Sequence, residues 1–392
     1  MTYDSIIIGA GIAGSVIARE LAEKADKQVL LIEERQHIGG NCYDEKDEHG
    51  ILVHQYGPHI FHTNIDRVYE YLSHFTDWYH FKHEVVANVY GKLIPVPFNL
   101  NTLYMVYKEE KARALEEKLV GIYGLESRVP ILKLCESEDE DIRGIAEYVY
   151  ENIFLHYTMK QWGQKPEEID SAVTGRVPIL ISRDNGYFQD KHQGIPLNGY
   201  TYMFEKILDH PNINVRLGVD ARDLIKMNGN ITFEGKEFTG EVIYTGSIDE
   251  LFDCEYGRLP YRSLEFDFSY KEESPFQSKG VVNYTVTEEY TRITEFKYLT
   301  GQTDVSGTSI VKEYPFAYTG AKGQIPYYAI QNEENGNLYK KYLEKTRHFS
   351  NFFLLGRLAE YKYYNIDIIV SAAMDLAEKI ICSSKQIEEV KI

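Results

Sequence analysis

The opening 33 residues constrain the fold of this chain more than any other stretch. Asp4-Ser5-Ile6-Ile7-Ile8 has the length and β-branching of a buried strand. Gly9-Ala10-Gly11-Ile12-Ala13-Gly14 follows at once, and residues 15–24 read as an amphipathic helix. That order, strand–GxGxxG–helix, is what a dinucleotide-binding turn needs. Gly9, Gly11 and Gly14 permit the tight turn and let backbone approach a diphosphate at the helix N-terminus. Val29-Leu30-Leu31-Ile32 is the second strand. Glu33 at its end is placed to accept hydrogen bonds from both ribose hydroxyls, which implies a free 2′-hydroxyl and disfavours NADP.

At 392 residues the chain is too long for one small core and is expected to form two or three domains or subdomains. A hydrophobic content of 43% and a charged content of 26% are ordinary for a soluble globular protein. The formal charge of −18 argues against nucleic acid and anionic membranes as partners, since either wants a basic field. An anionic substrate must then be met by locally placed arginines. Cys42, Cys135, Cys254 and Cys382 are scattered without a CxxC pair, so neither a disulfide framework nor a dithiol reductase centre is expected. No apolar run reaches membrane-spanning length and no signal peptide is read, which makes the cytoplasm the expected compartment.

The stretch after the second strand sharpens the reading. Arg35-Gln36-His37-Ile38-Gly39-Gly40-Asn41 places a basic residue and paired glycines where the FAD-binding half of glutathione-reductase-like flavoproteins has them. This resemblance implies FAD. The fold class expected is α/β: a Rossmann-like FAD-binding domain with an inserted helical lobe and an inserted, mostly antiparallel β-sheet domain. Residues 85–96 alternate around Gly91 and read as a hairpin; residues 99–118 and 139–162 read as helices. Short alternating runs between 231 and 329, including 280–287 and 292–299, read as the antiparallel sheet. A buried strand at 352–356 and a helix at 366–382 return to the first domain. The boundaries expected are 1–80, 187–240 and 345–392 for the FAD domain, 98–176 for the helical lobe, and 81–97 with 241–344 for the sheet.

Several side chains are candidates for chemistry. His54, His59 and His62 cluster around the turn Gly57-Pro58, but no carboxylate or cysteine completes a ligand set, so no metal is expected. The competing readings for each histidine are a ring satisfied by backbone and a ring facing substrate. Arg176, in Thr174-Gly175-Arg176-Val177-Pro178, lies on a Gly/Pro-flanked loop suited to movement. With Arg262 and Arg292, it offers a guanidinium for bidentate clamping of a diphosphate, against the bland alternative of surface ion pairs. The 32 tyrosines, against 18 Phe and 2 Trp, suit a nucleotide-sugar cleft by pairing a stacking face with a hydroxyl, though composition does not pick out which.

Taken in order, Gly9-Ala10-Gly11, His37 to Asn41, Tyr56-Gly57-Pro58-His59-Ile60-Phe61-His62-Thr63, Tyr157-Thr158, Lys160-Gln161-Trp162-Gly163, Arg176-Val177-Pro178, Ile325-Pro326-Tyr327-Tyr328 and Gly356-Arg357-Leu358-Ala359-Glu360-Tyr361-Lys362-Tyr363 resemble the bacterial UDP-galactopyranose mutases over essentially the whole chain. The resemblance implies an isomerase that interconverts UDP-galactopyranose and UDP-galactofuranose with FAD that must be reduced. Flavin N5 would attack the anomeric carbon, expelling UDP, and ring contraction would pass through an open-chain iminium. It implies Arg176 and Arg292 as clamps on the diphosphate and His59 against the flavin face. Tyr328 and Tyr363 would bind the diphosphate, with Arg262 supporting that end. Phe154 and Tyr157 would sandwich the uracil, and Trp162 would line the sugar pocket, with Thr158, Tyr187, Asn283 and Asn365 completing the substrate set. To the cofactor it assigns Gly9, Gly11, Ala13, Gly14, Glu33, Glu34, Arg35, Gly40, Asn41, His59, Ile60, Val219, Gly356, Arg357, Tyr364, Asn365 and Ile366. It further implies a homodimer, an external reductant such as NAD(P)H, and a product destined for cell-surface polysaccharide. One position departs from the family pattern: Asn365 stands where many members carry Asp, so a strict requirement for a carboxylate there is in doubt.

Three other functions share parts of this pattern. An amine-oxidase-like FAD oxidoreductase has the same domain plan but needs no diphosphate clamp. The same mutase chemistry on UDP-N-acetylgalactosamine depends on room near the sugar C2. A non-catalytic nucleotide-sugar binder has no reason to keep every arginine and tyrosine of the set.

Overall fold

The computed structural model describes residues 2–163 and 178–390, with 384–390 as backbone. The N-terminal pattern folds as its residues dictate. Strand Ser5–Ile8 is the centre of a five-stranded parallel sheet in the order Ile213–Leu217, Val29–Glu33, Ser5–Ile8, Glu241–Tyr244, Phe352–Leu354. Its inner strands are apolar apart from Ser5, Glu33 and Glu241 at their ends, because both faces are covered. Ile7, Leu31 and Ile243 pack against helices Ile12–Ala25, Tyr200–Leu208 and Ile366–Val390. The alternate residues Ile6, Leu30 and Val242 face a second layer with Ile225 and Ile231, from the small antiparallel sheet of Ile225–Asn228, Asn230–Phe233 and Lys236–Glu237.

The expected boundary at 240/241 is corrected by this sheet. Glu241–Tyr244 pairs in parallel with Ser5–Ile8, so it belongs to the nucleotide domain. Val242 and Ile243 are both fully buried, each in a different core, and a run buried on both faces carries no alternation to mark its sheet. The second sheet begins instead at Tyr261. It has seven strands in the order Tyr328–Ala329, Tyr261–Lys271, Thr308–Ala317, Arg292–Glu295, Val281–Tyr284, Val85–Val89, Lys92–Val96. All its pairings are antiparallel except Val281–Tyr284 on Val85–Val89. The run read as a strand over 292–299 breaks at Glu295 and continues as helix Phe296–Thr300, which buries Phe296, Leu299 and Thr300 at helical spacing and stops at Gly301 in the left-handed region.

The helical lobe comprises Leu100–Val106, Glu109–Tyr123, Ile131–Cys135 and a long final rod. The rod starts as Glu140–Val149, capped by the Asp139 carboxylate, passes through a π-helical turn at Tyr150–Leu155, and ends as His156–Trp162. Its apolar stripe (Ile142, Ile145, Ala146, Val149, Ile153) shares one core with the 85–96 hairpin. The last helix packs on Ile12–Ala25, so the chain closes where it began. Among the described residues, no helix is long and apolar enough to cross a membrane.

Candidate active site

A cleft of about 380 Å³ lies where the carboxyl end of the parallel sheet meets the antiparallel sheet and the lobe. The glycine turns adjoin it through Asn41, which lines the cleft and accepts from Arg35. A Cβ on Gly14 would sit 1.9 Å from the Gly9 carbonyl oxygen, and one on Gly40 would sit 2.8 Å from Gly11 Cα. Two bare backbone segments therefore meet where a diphosphate would rest, at the start of helix Ile12–Ala25. Glu33 is buried, with its carboxylate accepting the Ala10 amide at 2.7 Å and the Arg35 amide at 2.9 Å. Arg35 donates to Asn41 at 2.9 Å and lies 4.5 Å over the Tyr56 ring, yet its buried Nη1 has no partner among the described residues. A stranded guanidinium nitrogen beside a glycine cradle calls for an anionic ligand, so the residues present fit the diphosphate of FAD. Ala13 meets Gly356 tightly, and Val219 binds the Glu33 carbonyl through its amide at 3.0 Å. Glu34 is exposed.

The Gly57-Pro58-His59 turn forms the cleft floor. The buried His54 accepts the His59 amide on Nδ1 at 3.0 Å, and His59 Nδ1 donates to the Gly57 carbonyl at 2.9 Å. That bond fixes the tautomer and leaves Nε2 as an acceptor. Burial, with repulsion from His54 and Arg357, pushes His59 down to about 3, so its ring is neutral. Ile60, Asn41, Arg357, Asn365 and Ile366 line the cleft around it. Arg357 stacks 4.5 Å over Tyr363 and donates to the Tyr364 carbonyl at 2.7 Å. Asn365 precedes the terminal helix, and its main-chain carbonyl accepts the Ile369 amide at 3.2 Å.

The opposite wall carries Arg292. Its Nη2 donates to the Tyr157 hydroxyl at 2.8 Å, and its Nε lies 3.3 Å from buried Glu313. Burial alone would lower this guanidinium; Glu313 and the phenols of Tyr157 and Tyr328 outweigh it and hold Arg292 well above its ordinary value. Burial in turn pushes Tyr157 up to about 12. Tyr187, Tyr328, Tyr363 and Asn283 complete the wall, with the Tyr328 and Tyr363 rings parallel at 6.2 Å and Trp162 5.4 Å from Tyr328. Arg292 Nε, Glu313 Oε1 and Asn283 Oδ1 are buried without a hydrogen-bond partner among the described residues.

Three expected placements come out differently. Phe154 is buried in the lobe core with its ring 5.9 Å from Tyr150, and it does not line the cleft beside Tyr157. Thr158 is likewise buried in the helix. Arg262 spends its donors on the carbonyls of Lys160 (2.9 Å) and Gln161 (3.0 Å), because the helix end it faces has unsatisfied acceptors. Arg176 lies outside the described residues. The cleft also gathers His62, His83, Asp190 and Glu313, which motif reading did not single out as a set. His62 donates from Nδ1 to Asp190 at 2.9 Å and stacks on Phe188 at 3.6 Å.

A Rossmann-like domain with a helical lobe and an antiparallel sheet set over its nucleotide cradle defines a flavoprotein of the dinucleotide-binding class with a polar, arginine-bearing cleft. The comparisons narrow this. A family described as "UDP-galactopyranose mutase" matches residues 152–363, and an NAD(P)-binding Rossmann-like domain matches 7–75. The chain is 36% identical over 386 residues to a dTDP-fucopyranose mutase of Escherichia coli, covering 97% of this chain and 99% of that one. It is 35% identical over 390 residues to a probable UDP-galactopyranose mutase of Klebsiella pneumoniae, covering 99% and 97%. A crystal structure of reduced UDP-galactopyranose mutase superposes with a TM-score of 0.69 at 15% identity, covering 97% and 96%. The chain belongs to the UDP-galactopyranose mutase family, and it is an isomerase.

Proposed function

We propose that this enzyme interconverts UDP-galactopyranose and UDP-galactofuranose, with FAD held in its reduced form. The observation that carries the reading is a set of buried polar atoms without a hydrogen bond among the described residues, Arg292 Nε (ion-paired to Glu313), Glu313 Oε1 and Asn283 Oδ1, on a tyrosine wall in the same cleft as Arg357 and the neutral ring of His59. Buried polar atoms without partners cost free energy unless a polar ligand satisfies them, and a sugar diphosphate supplies both hydroxyls and anionic oxygens. Reduced flavin, when bound, supplies the nucleophile for the anomeric carbon. The chain's own groups do the rest. Arg292, kept charged by Glu313, neutralises the departing diphosphate, and Tyr328 and Tyr363 orient it through their hydroxyls. His59, fixed in one tautomer, offers a lone pair and no charge at the cofactor face. Arg176 adds a second cation in this reading, and Trp162 bounds the sugar.

A division of labour accompanies the chemistry: the parallel-sheet unit holds the cofactor, while the seven-stranded sheet and lobe hold the nucleotide sugar. We infer a cytoplasmic homodimer that takes electrons from an external donor such as NAD(P)H and feeds galactofuranose to a surface glycan. The 36% identity to the E. coli enzyme supports a second reading, the same ring contraction on dTDP-fucopyranose.

The test is to incubate purified holoenzyme with UDP-galactofuranose, with and without dithionite, beside a parallel arm with dTDP-fucofuranose. Conversion of the UDP sugar after reduction is expected. Conversion of the dTDP sugar alone would move the assignment to the second reading, and no conversion in either arm would remove both.

A further inference from the structure

Lys160 stands on the last turn of His156–Trp162, the helix that brings Tyr157 to the cleft and Trp162 against Tyr328. Its ammonium reaches into the segment that ends strand Val281–Tyr284 and leads to Arg292. There it donates to the carbonyls of Tyr284 at 2.5 Å, Glu288 at 3.0 Å and Tyr290 at 3.4 Å. The same segment grips the rod about two turns earlier, where buried Thr285 donates to the Asn152 carbonyl of the π-helical turn at 2.6 Å. The carbonyl of Lys160 is itself bound by Arg262 from strand Tyr261–Lys271. One residue thus ties the helix to the sheet in both directions. Its side chain anchors the helix to the segment before Arg292, and its main chain receives a guanidinium that satisfies the helix C-terminus.

The consequence lies at the other end of the helix. Tyr157 and Arg292 meet through a 2.8 Å hydrogen bond, and each sits on an element that Lys160 joins to the other. We propose that Lys160 is a positioning residue, whose charge-assisted bonds to main-chain carbonyls hold Tyr157 and Arg292 at the spacing that grips the diphosphate end of the substrate. The inference rests on the nucleotide-sugar reading of this cleft. The wild-type assay above tests that reading, and variants at Lys160 test this one separately. A charge-assisted bond to a half-buried carbonyl is stronger than a neutral one, and three converging carbonyls fix an ammonium in a way that a neutral side chain does not reproduce.

The experiment compares wild type with Lys160→Met, which keeps the stem, and Lys160→Arg, which restores the charge. The readouts are UDP affinity of the oxidised holoenzyme by flavin fluorescence, KM against kcat, and FAD content. Lys160→Met is expected to weaken UDP binding and raise KM at least tenfold, with a smaller fall in kcat and FAD content unchanged, and Lys160→Arg to recover most of the affinity. UDP binding within twofold of wild type in Lys160→Met would overturn the proposal. So would a loss of affinity that merely tracks loss of bound FAD, because that marks a structural role. Should Lys160→Met fail to accumulate as holoenzyme, Lys160→Gln, which keeps a shorter, uncharged amide donor, must show the same KM-weighted defect or the proposal falls.

Discussion

His83 gives the structure a measurable acid sensitivity. It is 4% exposed, boxed by the rings of Phe81, Tyr187 and Phe188 at 6.0, 5.8 and 5.8 Å. Burial, with repulsion from Arg292 and His62, pushes its imidazole down to about 3 from an ordinary 6.5. A folded value below the unfolded one means that the native state binds fewer protons. The stability this confers is complete above the unfolded value and drains away as pH falls from 6.5 towards 3. Between pH 7 and pH 5 the unfolded chain gains about 1.5 pH units of protonation advantage, which is about 2 kcal/mol as an upper figure. His83→Phe removes the titrating group and leaves a ring among rings. Urea unfolding of the FAD-saturated protein, followed by tryptophan fluorescence, should show wild type losing about 2 kcal/mol more than the variant over this interval. Taking the difference between the two proteins cancels every other titrating group, including buried His54, which burial likewise pushes down to about 4. If both proteins lose the same stability to within about 0.5 kcal/mol, the assignment of a neutral, buried His83 is wrong.

Gly14→Ala should leave a chain that no longer retains flavin, because the new methyl would lie 1.9 Å from the Gly9 carbonyl oxygen and the whole turn must open; the ratio of 450 nm to 280 nm absorbance reads this directly, with at least a tenfold loss of bound cofactor expected (about 1.4 kcal/mol or more). Asn365→Asp should change turnover by less than about tenfold, since the helix contact made there runs through the main-chain carbonyl, which the substitution leaves in place. A gain of orders of magnitude would show instead that the missing carboxylate takes part in the chemistry.

How much of this was legible in the sequence divides along physical lines. The strand–turn–helix–strand at the N-terminus was, because its signals are local: a β-branched run, spaced glycines and a terminal acid all act within 33 residues. The terminal helix was placed for the same reason. Glu241–Tyr244 was not, since what assigns it to the parallel sheet is pairing with a strand more than two hundred residues away. Arg262 shows another limit. Its residue type suits a diphosphate, but the stronger claim on its donors comes from two carbonyls at a helix end that the sequence does not bring near it. Phe154 shows how a π-helical turn, which shifts the facing of side chains, puts a ring in the lobe core in place of the cleft. His83, Asp190 and Glu313 carry no motif at all; they become one wall through tertiary convergence of three separate strands and loops.

The cofactor cradle opens at residue 9 and is completed by the residues around 357–366, so chain order has a bearing on how this enzyme is made. During translation the first two strands leave the ribosome with both sheet edges bare, and Ile213–Leu217 and Glu241–Tyr244 follow much later in the chain to cover one edge each. The fifth strand and the covering helix emerge last. A chain cut before Ile366 lacks the helix that packs on Ile12–Ala25, and the glycine turn at the start of that helix then stands on an incomplete core.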